Sequence, residues 1–204
     1  MISIVTVVKN DKIGLEKTID SVSQQTYQLY EHLIIDSVST DGTFEYLRSL
    51  KIKNLKWISE NDEGIYDAMN KGVKLAKGWI LMLNAGDTLY SNTVLEKISI
   101  FLIDKNSVYF GQVRNYSNIL PISWIYPKSS NKNSRPPHQG LFIHKDYHEN
   151  FRYLSWMKIS ADRYLIDISL AKTKKIYLGE IITNLELGGI SNSYESIKQT
   201  INLI

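Results

Sequence analysis

The 204-residue sequence predicts an α/β fold built on a doubly wound, mostly parallel β-sheet. Strand-like and helix-like segments alternate four times between residues 2 and 83, an order typical of parallel sheets covered by helices. The first strand, Ile2–Val8, is almost continuously β-branched, as expected for a strand buried on both faces. Strands one, two and four end in polar residues, and the carboxyl ends of parallel strands form the crevice that binds ligands.

The first half of the chain follows this alternation. After the first strand we predict a helix with Leu15, Ile19 and Val22 on its apolar face, a strand over Glu31–Asp36, a short helix with Phe44 and Leu47, and a strand over Leu55–Ser59. A helix from Gly64, with Ile65, Met69, Val73 and Ala76 on one face, then precedes a strand over Trp79–Leu83. Gly78 is placed to end that helix. Gly72 costs it about 1 kcal/mol relative to Ala, which indicates close approach by backbone or ligand.

The second half has a less regular pattern. Its predicted elements are a helix capped by Asn92 with Leu95, Ile98, Phe101 and Leu102 on one face, strands over Val108–Val113, Ile119–Tyr126 and Gly140–His144, and a helix over Ile159–Ala171. Pro127–Pro137 is predicted to be a loop that closes over a ligand. The tail from Ser193 carries Tyr194, Ile197, Ile201 and Ile204 on one helical face. We expect one domain over residues 1–204, with halves 1–90 and 91–204.

Composition excludes several classes of protein. The absence of cysteine excludes disulfides, thiolate metal sites and cysteine nucleophiles, and it permits a cytoplasmic location. A net charge of +3 is too small to predict nucleic-acid binding, although it permits an anionic ligand or membrane surface. No apolar run reaches the roughly 18 residues of a membrane-spanning helix, and the N-terminal run lacks the basic leader of a signal peptide.

Two acidic residues follow predicted strands: Asp36 after the second, and Asp87 after the fourth in the sequence Asn84-Ala-Gly-Asp87. Carboxylates at this edge suit a hard cation such as Mg²⁺ or Mn²⁺, which combines one or two of them with substrate phosphates. The structural alternative is that both acids cap the turns that follow them. Spacing alone favours neither interpretation.

Three further groups of polar residues also have two interpretations. Asp67, Asn70 and Lys71 lie on one predicted helix, where Asp67 and Lys71 pair on a solvated face or contact a ligand. His138, between a proline pair and a strand, is a structural hydrogen-bonding residue or touches a phosphate, a metal or an acceptor. Asp162 lies in a first helical turn, where the helix dipole stabilises an acid and where a general base would be well mounted.

Together these segments resemble the family 2 glycosyltransferases of GT-A fold, especially bacterial enzymes that build surface polysaccharides. The matching segments are Ile2–Val8, Ile35–Thr43, Gly64–Gly72, Leu83–Asp87, His138-Gln139, Ala161–Leu165 and Gly188–Ser191. No single motif is decisive, but their order is specific and covers nearly the whole chain. The resemblance implies a Rossmann-like sheet with a smaller mixed acceptor-side region, in which residues 1–90 bind the nucleotide sugar and residues 91–204 face the acceptor.

The resemblance also implies residue roles. The nucleotide-sugar-binding residues would be Thr6, Val8, Asp36, Asp67, Lys71 and His138. Asp87 takes the position of the last acid in the family's Asp-x-Asp metal motif and would hold a divalent cation, Mn²⁺ or Mg²⁺. Asp162 takes the position of the catalytic base. Two departures matter: Asn84 replaces the leading acid of the metal motif, and Ser37 follows Asp36 where many members carry a second acid.

The implied activity is inverting transfer of a sugar from a nucleotide-sugar donor, expected to be UDP-linked, to a glycan or lipid-linked acceptor in bacterial polysaccharide biosynthesis. The expected location is the cytoplasm, with peripheral contact at the inner face of the cell membrane or a homo-oligomer contact through the tail. The chain stops soon after Ile190, which is short for the family, so membrane-binding C-terminal helices would be missing or reduced to that tail.

Two alternatives are weaker. A sugar nucleotidyltransferase would carry a glycine-rich phosphate loop with Arg and Lys after the first strand, whereas residues 9–14 contain one glycine and no arginine. A non-catalytic nucleotide-sugar-binding module would fit the loss of the leading acid at Asn84. The presence of both Asp87 and Asp162 argues against that module.

Overall fold

The computed structural model describes residues 1–117, 123–126, 136–148, 152–157 and 160–186, with the backbone alone for residue 170. Most of the predicted loop Pro127–Pro137, the Gly188–Ser191 segment and the tail from Ser193 lie outside these residues. In the part of the chain so described, no helix is long and apolar enough to cross a membrane.

Strands and helices alternate through the first half as predicted. The strands are β1 (Ile2–Val8), β2 (Tyr30–Asp36), β3 (Leu55–Ser59), β4 (Trp79–Met82), β5 (Thr88–Leu89), β6 (Ser107–Tyr116), β7 (Ser123–Tyr126), β8 (Leu141–His144) and β9 (Lys174–Glu186). The helices are α1 (Lys12–Ser23), α2 (Thr43–Ser49), α3 (Ile65–Leu75), α4 (Val94–Ser99), α5 (Lys145–His148) and α6 (Ala161–Lys172). A 3₁₀ turn over His138–Gly140 precedes β8.

The described strands form one mixed sheet in the order β3-β2-β1-β4-β8-β6-β9-β5, and β7 adds to β6 as an antiparallel partner. The pairs β3-β2, β2-β1 and β1-β4 are parallel, as is β6-β9, whereas β8 runs antiparallel to both of its neighbours. The predicted mostly parallel α/β sheet is therefore confirmed. Because β4 pairs with β8, the sheet runs through both predicted halves, and their division near residue 90 stays a prediction.

Alternate residues of β1 pack against different helices. Val5 and Val7 join the cluster that contains Met69 of α3 and Leu165 of α6. Val8, on the other face, packs with α1 and α2. This alternation follows from the period of two along a strand, and it explains why β1 is apolar throughout. Helices therefore pack on both faces of the sheet at β1.

Two glycines of the Gly64–Gly78 region allow close packing. A Cβ at Gly72 would lie 2.2 Å from Val5 Cγ1, so the close approach predicted there is between α3 and β1. A Cβ at Gly78 would lie 2.2 Å from the Met1 carbonyl oxygen. The prediction that Gly78 ends the helix was wrong, because α3 already ends at Leu75, with Ala76 in an extended conformation.

The second half needed further corrections. Helix α4 is capped by Thr93 rather than Asn92 and ends at Ser99, so Phe101 lies outside it and is half exposed. Gly140 belongs to the 3₁₀ turn rather than to β8, and α6 begins at Ala161 instead of residue 159. The 13-residue strand β9 was missed. The pairing of β9 with β6 shifts register near Gln112, and the burial pattern of β9 does not alternate strictly.

Candidate active site

The carboxyl ends of β1, β2 and β4 form the edge where the site lies. The Ser37 amide donates to the Val8 carbonyl at 2.9 Å, and the Ala85 amide donates to the Val7 carbonyl at 3.3 Å. Asp36 therefore lies on one side of β1 and the turn 84–87 on the other, about 10 Å apart across two strand spacings. The predicted convergence of these three strand ends is confirmed.

Asp36 is fully buried and bonded both to its own turn and to β3. Its carboxylate accepts from Ser59 Oγ of β3 at 2.6 Å, and from the Ser39 amide at 3.3 Å to each oxygen. The contact with the Ser39 amide matches the capping alternative. The proposed contact with a nucleoside stays a prediction.

Thr6 and Val8 are also buried. Thr6 Oγ1 donates to the Leu83 carbonyl at 2.7 Å and lies 2.9 Å from Nε2 of the buried His32. Burial lowers the pKa of His32 to about 3, which keeps the ring neutral as a partner for the hydroxyl. Both polar contacts of Thr6 are thus within the core, and Val8 presents the end of β1 nearest the crevice. Their role towards a nucleoside stays a prediction.

Asp67 and Lys71 form the surface ion pair that their spacing suggested. Lys71 Nζ lies 3.5 Å from Asp67 and 3.0 Å from Glu60, and it also donates to the Asn61 carbonyl. The pKa of Lys71 is raised: partial burial acts to lower it, but the bonds to the two acids outweigh burial. The network ties α3 to the segment after β3. A further contact of these residues with a nucleotide stays a prediction.

Two strained loops meet beside β1. Asn10 and Val38 have φ of 53° and 50°, a region that a β-branched residue such as Val38 rarely adopts. The Asn10 carboxamide accepts from the Thr40 amide at 2.8 Å, and the Asn10 amide donates to Ser39 Oγ at 2.8 Å. Strain held by such bonds clusters at binding sites. No sequence pattern predicts this conformation at Val38, although Asn tolerates it.

The turn that carries Asp87 is rigidly held. The Asp87 amide donates to the Asn84 carbonyl at 3.0 Å, and Gly86 supplies the positive φ of 93°. Thr18 of α1 donates to the Asp87 carbonyl at 2.7 Å and accepts from the Gly86 amide at 3.0 Å. The position of the carboxylate is thus fixed before any ligand binds.

The negative charge of the Asp87 carboxylate is poorly stabilised by its surroundings. Burial raises its pKa to about 7, although the charge of His138 and a hydrogen bond from Gln139 act in the opposite direction. Gln139 Nε2 is 3.3 Å from Asp87 Oδ2, and its backbone carbonyl accepts from Thr183 Oγ1 of β9. Sequence reasoning missed this role of Gln139, although it belongs to the quoted His138-Gln139 motif.

Asp162 is held from two sides. His138 Nδ1 lies 2.9 Å from Asp162 Oδ2, and Tyr66 donates its hydroxyl to Asp162 Oδ1 at 2.9 Å. Ser160, just before α6, has φ of 70°, which directs the first turn of the helix. Burial acts to raise the pKa of Asp162, but the bonds from His138 and Tyr66 outweigh it and lower the pKa to about 2. The carboxylate is therefore ionised at neutral pH.

Tyr66 is the main residue that sequence reasoning missed. Burial, followed by the neighbouring Asp162, raises its pKa above its usual range, so its hydroxyl stays a donor. Its ring stacks on Tyr153, with centroids 5.8 Å apart. Asn70, one turn further along α3, bonds both the amide and the carbonyl of Tyr153. The Gly64–Gly72 motif was the available signal.

Two oxygen-bearing side chains of the turn fit a divalent cation. Within the described residues, no three His, Cys, Asp or Glu side chains group as metal ligands. Asn84 Oδ1, however, is buried and has no hydrogen-bond partner among those residues. It belongs to the same turn as the undercompensated Asp87 carboxylate. Both are oxygen donors of the type that Mg²⁺ and Mn²⁺ prefer.

Comparison with known proteins identifies a matching family. The family model for glycosyl transferase family 2 matches residues 3–161. A PGL/p-HBAD biosynthesis glycosyltransferase of Mycobacterium bovis is 36% identical over 107 residues, which are 50% of this chain and 41% of that protein. The chain thus matches less than half the length of this relative.

Solved structures share the fold. Residues 1–349 of S. aureus TarS in complex with UDP-GlcNAc superpose with a TM-score of 0.80 at 17% identity, covering 95% of this chain and 61% of that one. Mannosyltransferase PcManGT from Pyrobaculum calidifontis, in complex with GDP-Man and Mn²⁺, gives a TM-score of 0.73 at 16% identity, covering 99% of this chain and 61% of that one. The predicted GT-A fold is confirmed by these neighbours.

Proposed function

Because the chain belongs to glycosyl transferase family 2, we propose that it transfers a sugar from a nucleotide sugar to an acceptor hydroxyl with inversion at the anomeric carbon. The observation that carries this proposal is the environment of Asp162. Its two carboxylate oxygens are each held at 2.9 Å by a side chain from another element, at the edge where the strands end. A fixed, ionised carboxylate at this edge of the sheet is the group that a single displacement requires.

The chemical step uses Asp162 as general base. The acceptor oxygen attacks the anomeric carbon as the bond to the diphosphate oxygen breaks, with its electron pair remaining on the diphosphate. The hydroxyl proton passes to Asp162. Because the pKa of Asp162 is about 2, the carboxylate takes the proton late, once the attacking oxygen has developed positive charge. A positioned base of this kind contributes about 10²–10⁴-fold.

Tyr66 and His138 keep the base aligned during this step. Each occupies one acceptor position of the carboxylate, which has about four, so a lone pair remains for the incoming proton. Asp87 and Asn84 would hold a divalent cation, which supplies positive charge next to the departing diphosphate when bound. Dependence on such a cation is part of the proposal.

The donor and acceptor are proposed by class. We propose a UDP-linked donor, since the TarS neighbour was solved with UDP-GlcNAc. PcManGT was solved with GDP-Man, so a GDP-linked sugar is the donor against which to compare binding. Val8, Asp36 and the strained loops at Asn10 and Val38 would surround the nucleoside. A glycan or lipid-linked acceptor in polysaccharide or glycolipid biosynthesis agrees with the name of the mycobacterial relative. We propose a cytoplasmic location with peripheral membrane contact.

A panel of nucleotide sugars tests the proposal. Binding is measured by calorimetry with Mn²⁺ present, and slow hydrolysis of each donor is followed by NMR, which identifies the anomer first released. We expect a UDP-linked sugar to bind and to release the inverted anomer. Release of the retained anomer contradicts the single displacement.

Two other outcomes favour the alternatives. Synthesis of a nucleotide sugar from a nucleoside triphosphate and a sugar phosphate would favour a nucleotidyltransferase. Binding without hydrolysis or transfer, for every donor and acceptor offered, would favour a binding module. If no donor binds at all, the proposal fails.

A further inference from the structure

His138 lies between Asp162 and the turn that carries Asn84 and Asp87. Its Nδ1 lies 2.9 Å from the Asp162 carboxylate, and its Nε2 faces the side-chain amide of Asn84 at 3.5 Å. An ionised carboxylate only accepts hydrogen bonds, so the proton on this side belongs to Nδ1. In the neutral ring Nε2 then carries a lone pair that points at the turn of Asn84 and Asp87.

The Asn84 amide is poorly satisfied as it stands. Its Nδ2 makes only the long 3.5 Å contact with His138, while its Oδ1 is buried and has no partner among the described residues. The oxygen and nitrogen of a carboxamide have nearly the same shape, and a half-turn of the group exchanges them. After that exchange two lone-pair atoms, Asn84 Oδ1 and His138 Nε2, face each other. A cation is the partner that satisfies both.

Asp87 belongs to the same cluster. The turn 84–87 and the 3₁₀ turn 138–140 face each other through two contacts, Asn84 with His138 and Asp87 with Gln139. The Asp87 carboxylate is buried among these groups, and Gln139 is its only side-chain donor within the described residues. A carboxamide, a carboxylate and an imidazole thus lie on two turns that contact each other.

We propose that Asn84 Oδ1, Asp87 and His138 Nε2 together bind a divalent cation, and that Asp162 orients His138 by accepting its Nδ1 proton. This proposal rests on the proposed function and adds His138 to its metal site of Asn84 and Asp87. A histidine that binds a metal usually donates its other ring nitrogen to a carboxylate, which fixes its tautomer and its orientation. The arrangement also links the cation to the base, because one imidazole contacts both.

The ligand set has a consequence for selectivity. Only one ligand, Asp87, is anionic, because Asn84 contributes a neutral amide. An imidazole nitrogen suits transition metals better than Mg²⁺, which favours oxygen ligands. We therefore expect Mn²⁺ and Co²⁺ to bind more tightly than Mg²⁺, and the difference to shrink in His138→Gln.

Pulsed electron paramagnetic resonance on bound Mn²⁺ tests the proposal directly. The spectrum, recorded with Mn²⁺ alone and with Mn²⁺ plus UDP, is expected to contain nitrogen modulation from one imidazole. Labelling only the histidines with ¹⁵N should replace the ¹⁴N frequencies, which identifies the nitrogen without any mutation. Mn²⁺ that binds without nitrogen modulation, or no binding in either sample, overturns the proposal.

Affinity measurements on variants provide the second readout. His138→Gln should lose the modulation, and Asp162→Ala, which removes the acceptor of the His138 Nδ1 proton, should weaken Mn²⁺ binding by about 10–100-fold, the usual effect of removing a group that orients a ligand. Asp167→Ala, on the same helix α6, is the control and should bind Mn²⁺ like the wild type. Wild-type affinity in His138→Gln also contradicts the proposal.

These experiments separate the two proposals. Nitrogen-free Mn²⁺ together with intact donor hydrolysis overturns the ligand set alone. Nitrogen-bound Mn²⁺ in a protein that neither binds nor hydrolyses any donor overturns the proposed function alone.

Discussion

Asp87 and Asp162 are two carboxylates of one site whose surroundings shift their pKa values in opposite directions. Asp87 is buried and has one side-chain donor among the described residues, Gln139 at 3.3 Å, and its pKa rises to about 7. Asp162 is partly buried, but His138 and Tyr66 each hold one oxygen at 2.9 Å, and its pKa falls to about 2. Burial decides the first case, and hydrogen bonding overrides burial in the second.

This difference separates two chemical roles. A carboxylate that burial destabilises gains most from a cation, whereas a carboxylate already stabilised by donors stays ionised without one. Pairs of acids whose pKa values are driven apart commonly divide the work of a site between them. Each of the following changes tests one side of this comparison.

Asp162→Asn should have the largest effect. The amide keeps the shape of the side chain but cannot take the acceptor proton, so kcat for sugar transfer should fall by about 10²–10⁴-fold. The measurement is steady-state transfer, or donor hydrolysis until an acceptor is known. Asp167→Asn on the same helix should keep wild-type kcat. Equal rates for Asp162→Asn and wild type would mean that the base is another residue.

Asp87→Ala should have the second-largest effect on kcat. Removing the anionic ligand should abolish stimulation by Mn²⁺ and lower kcat by about 10²–10³-fold, the usual effect of losing one stabilising contact to a developing charge. Rates are compared across a Mn²⁺ titration. The exposed acid Asp146, changed to Ala, serves as the control. If Asp87→Ala retains Mn²⁺ stimulation, Asp87 does not hold the cation.

The raised pKa of Asp87 predicts a pH-dependent cost to stability. Because its pKa is about 7 in the folded protein and 3.8 ordinarily, its stabilising contribution is complete below about pH 4 and is lost as pH rises through 7. In metal-free protein, the free energy of unfolding of Asp87→Asn, relative to that of the wild type, should therefore rise by about 2–3 kcal/mol from about pH 5 to about pH 8. Urea unfolding at the two pH values measures this.

The metal provides the control for that experiment. Adding Mn²⁺ at about pH 8 should stabilise the wild type, because the cation stabilises the negative charge of the Asp87 carboxylate. It should stabilise Asp87→Asn much less. A difference between the two proteins that does not change with pH would mean that Asp87 stays ionised throughout.

Tyr66→Phe should have the smallest effect. The ring still stacks on Tyr153, but Asp162 loses one of its two donors. Losing a bond to a charged group costs about 1.5–3 kcal/mol, so the pKa of Asp162 should rise by at least about 1. We expect kcat to fall about tenfold or less with the donor KM unchanged, since His138 still holds the other oxygen.

Two measurements check the Tyr66 prediction. The pKa of Asp162 is followed by NMR of carbon-labelled aspartate, and kcat and KM are measured at one pH. Tyr164→Phe, at an exposed tyrosine of α6, should change neither. An unchanged pKa in Tyr66→Phe would show that the hydrogen bond does not stabilise the carboxylate.

Much of the first half followed from sequence. The β-branched run Ile2–Val8 and the apolar spacing of Met69 and Val73 predict elements that the structure contains, because local periodicity reports which face is buried. Strand β9 escaped prediction, since its burial does not alternate strictly and its parallel partner β6 lies about 60 residues earlier. Neither property leaves a local pattern.

Several candidate site residues were named from sequence, but their partners were not. Asp87, His138 and Asp162 each stood out as a polar residue at the end or start of an element. Tyr66 and Gln139 did not, because they act on carboxylates 96 and 52 residues away in the chain. A polar residue is recognisable by its local position, whereas its hydrogen-bond partner is set by how the elements pack.

Periodicity and the order of elements were thus enough to predict the strands and helices of the first half and the acids at the strand ends. The raised pKa of Asp87, the lowered pKa of Asp162 and the contacts of His138 with Asn84 and Asp162 appear only once the chain is folded. A pKa depends on burial and on nearby donors. Both are supplied by residues distant in the chain.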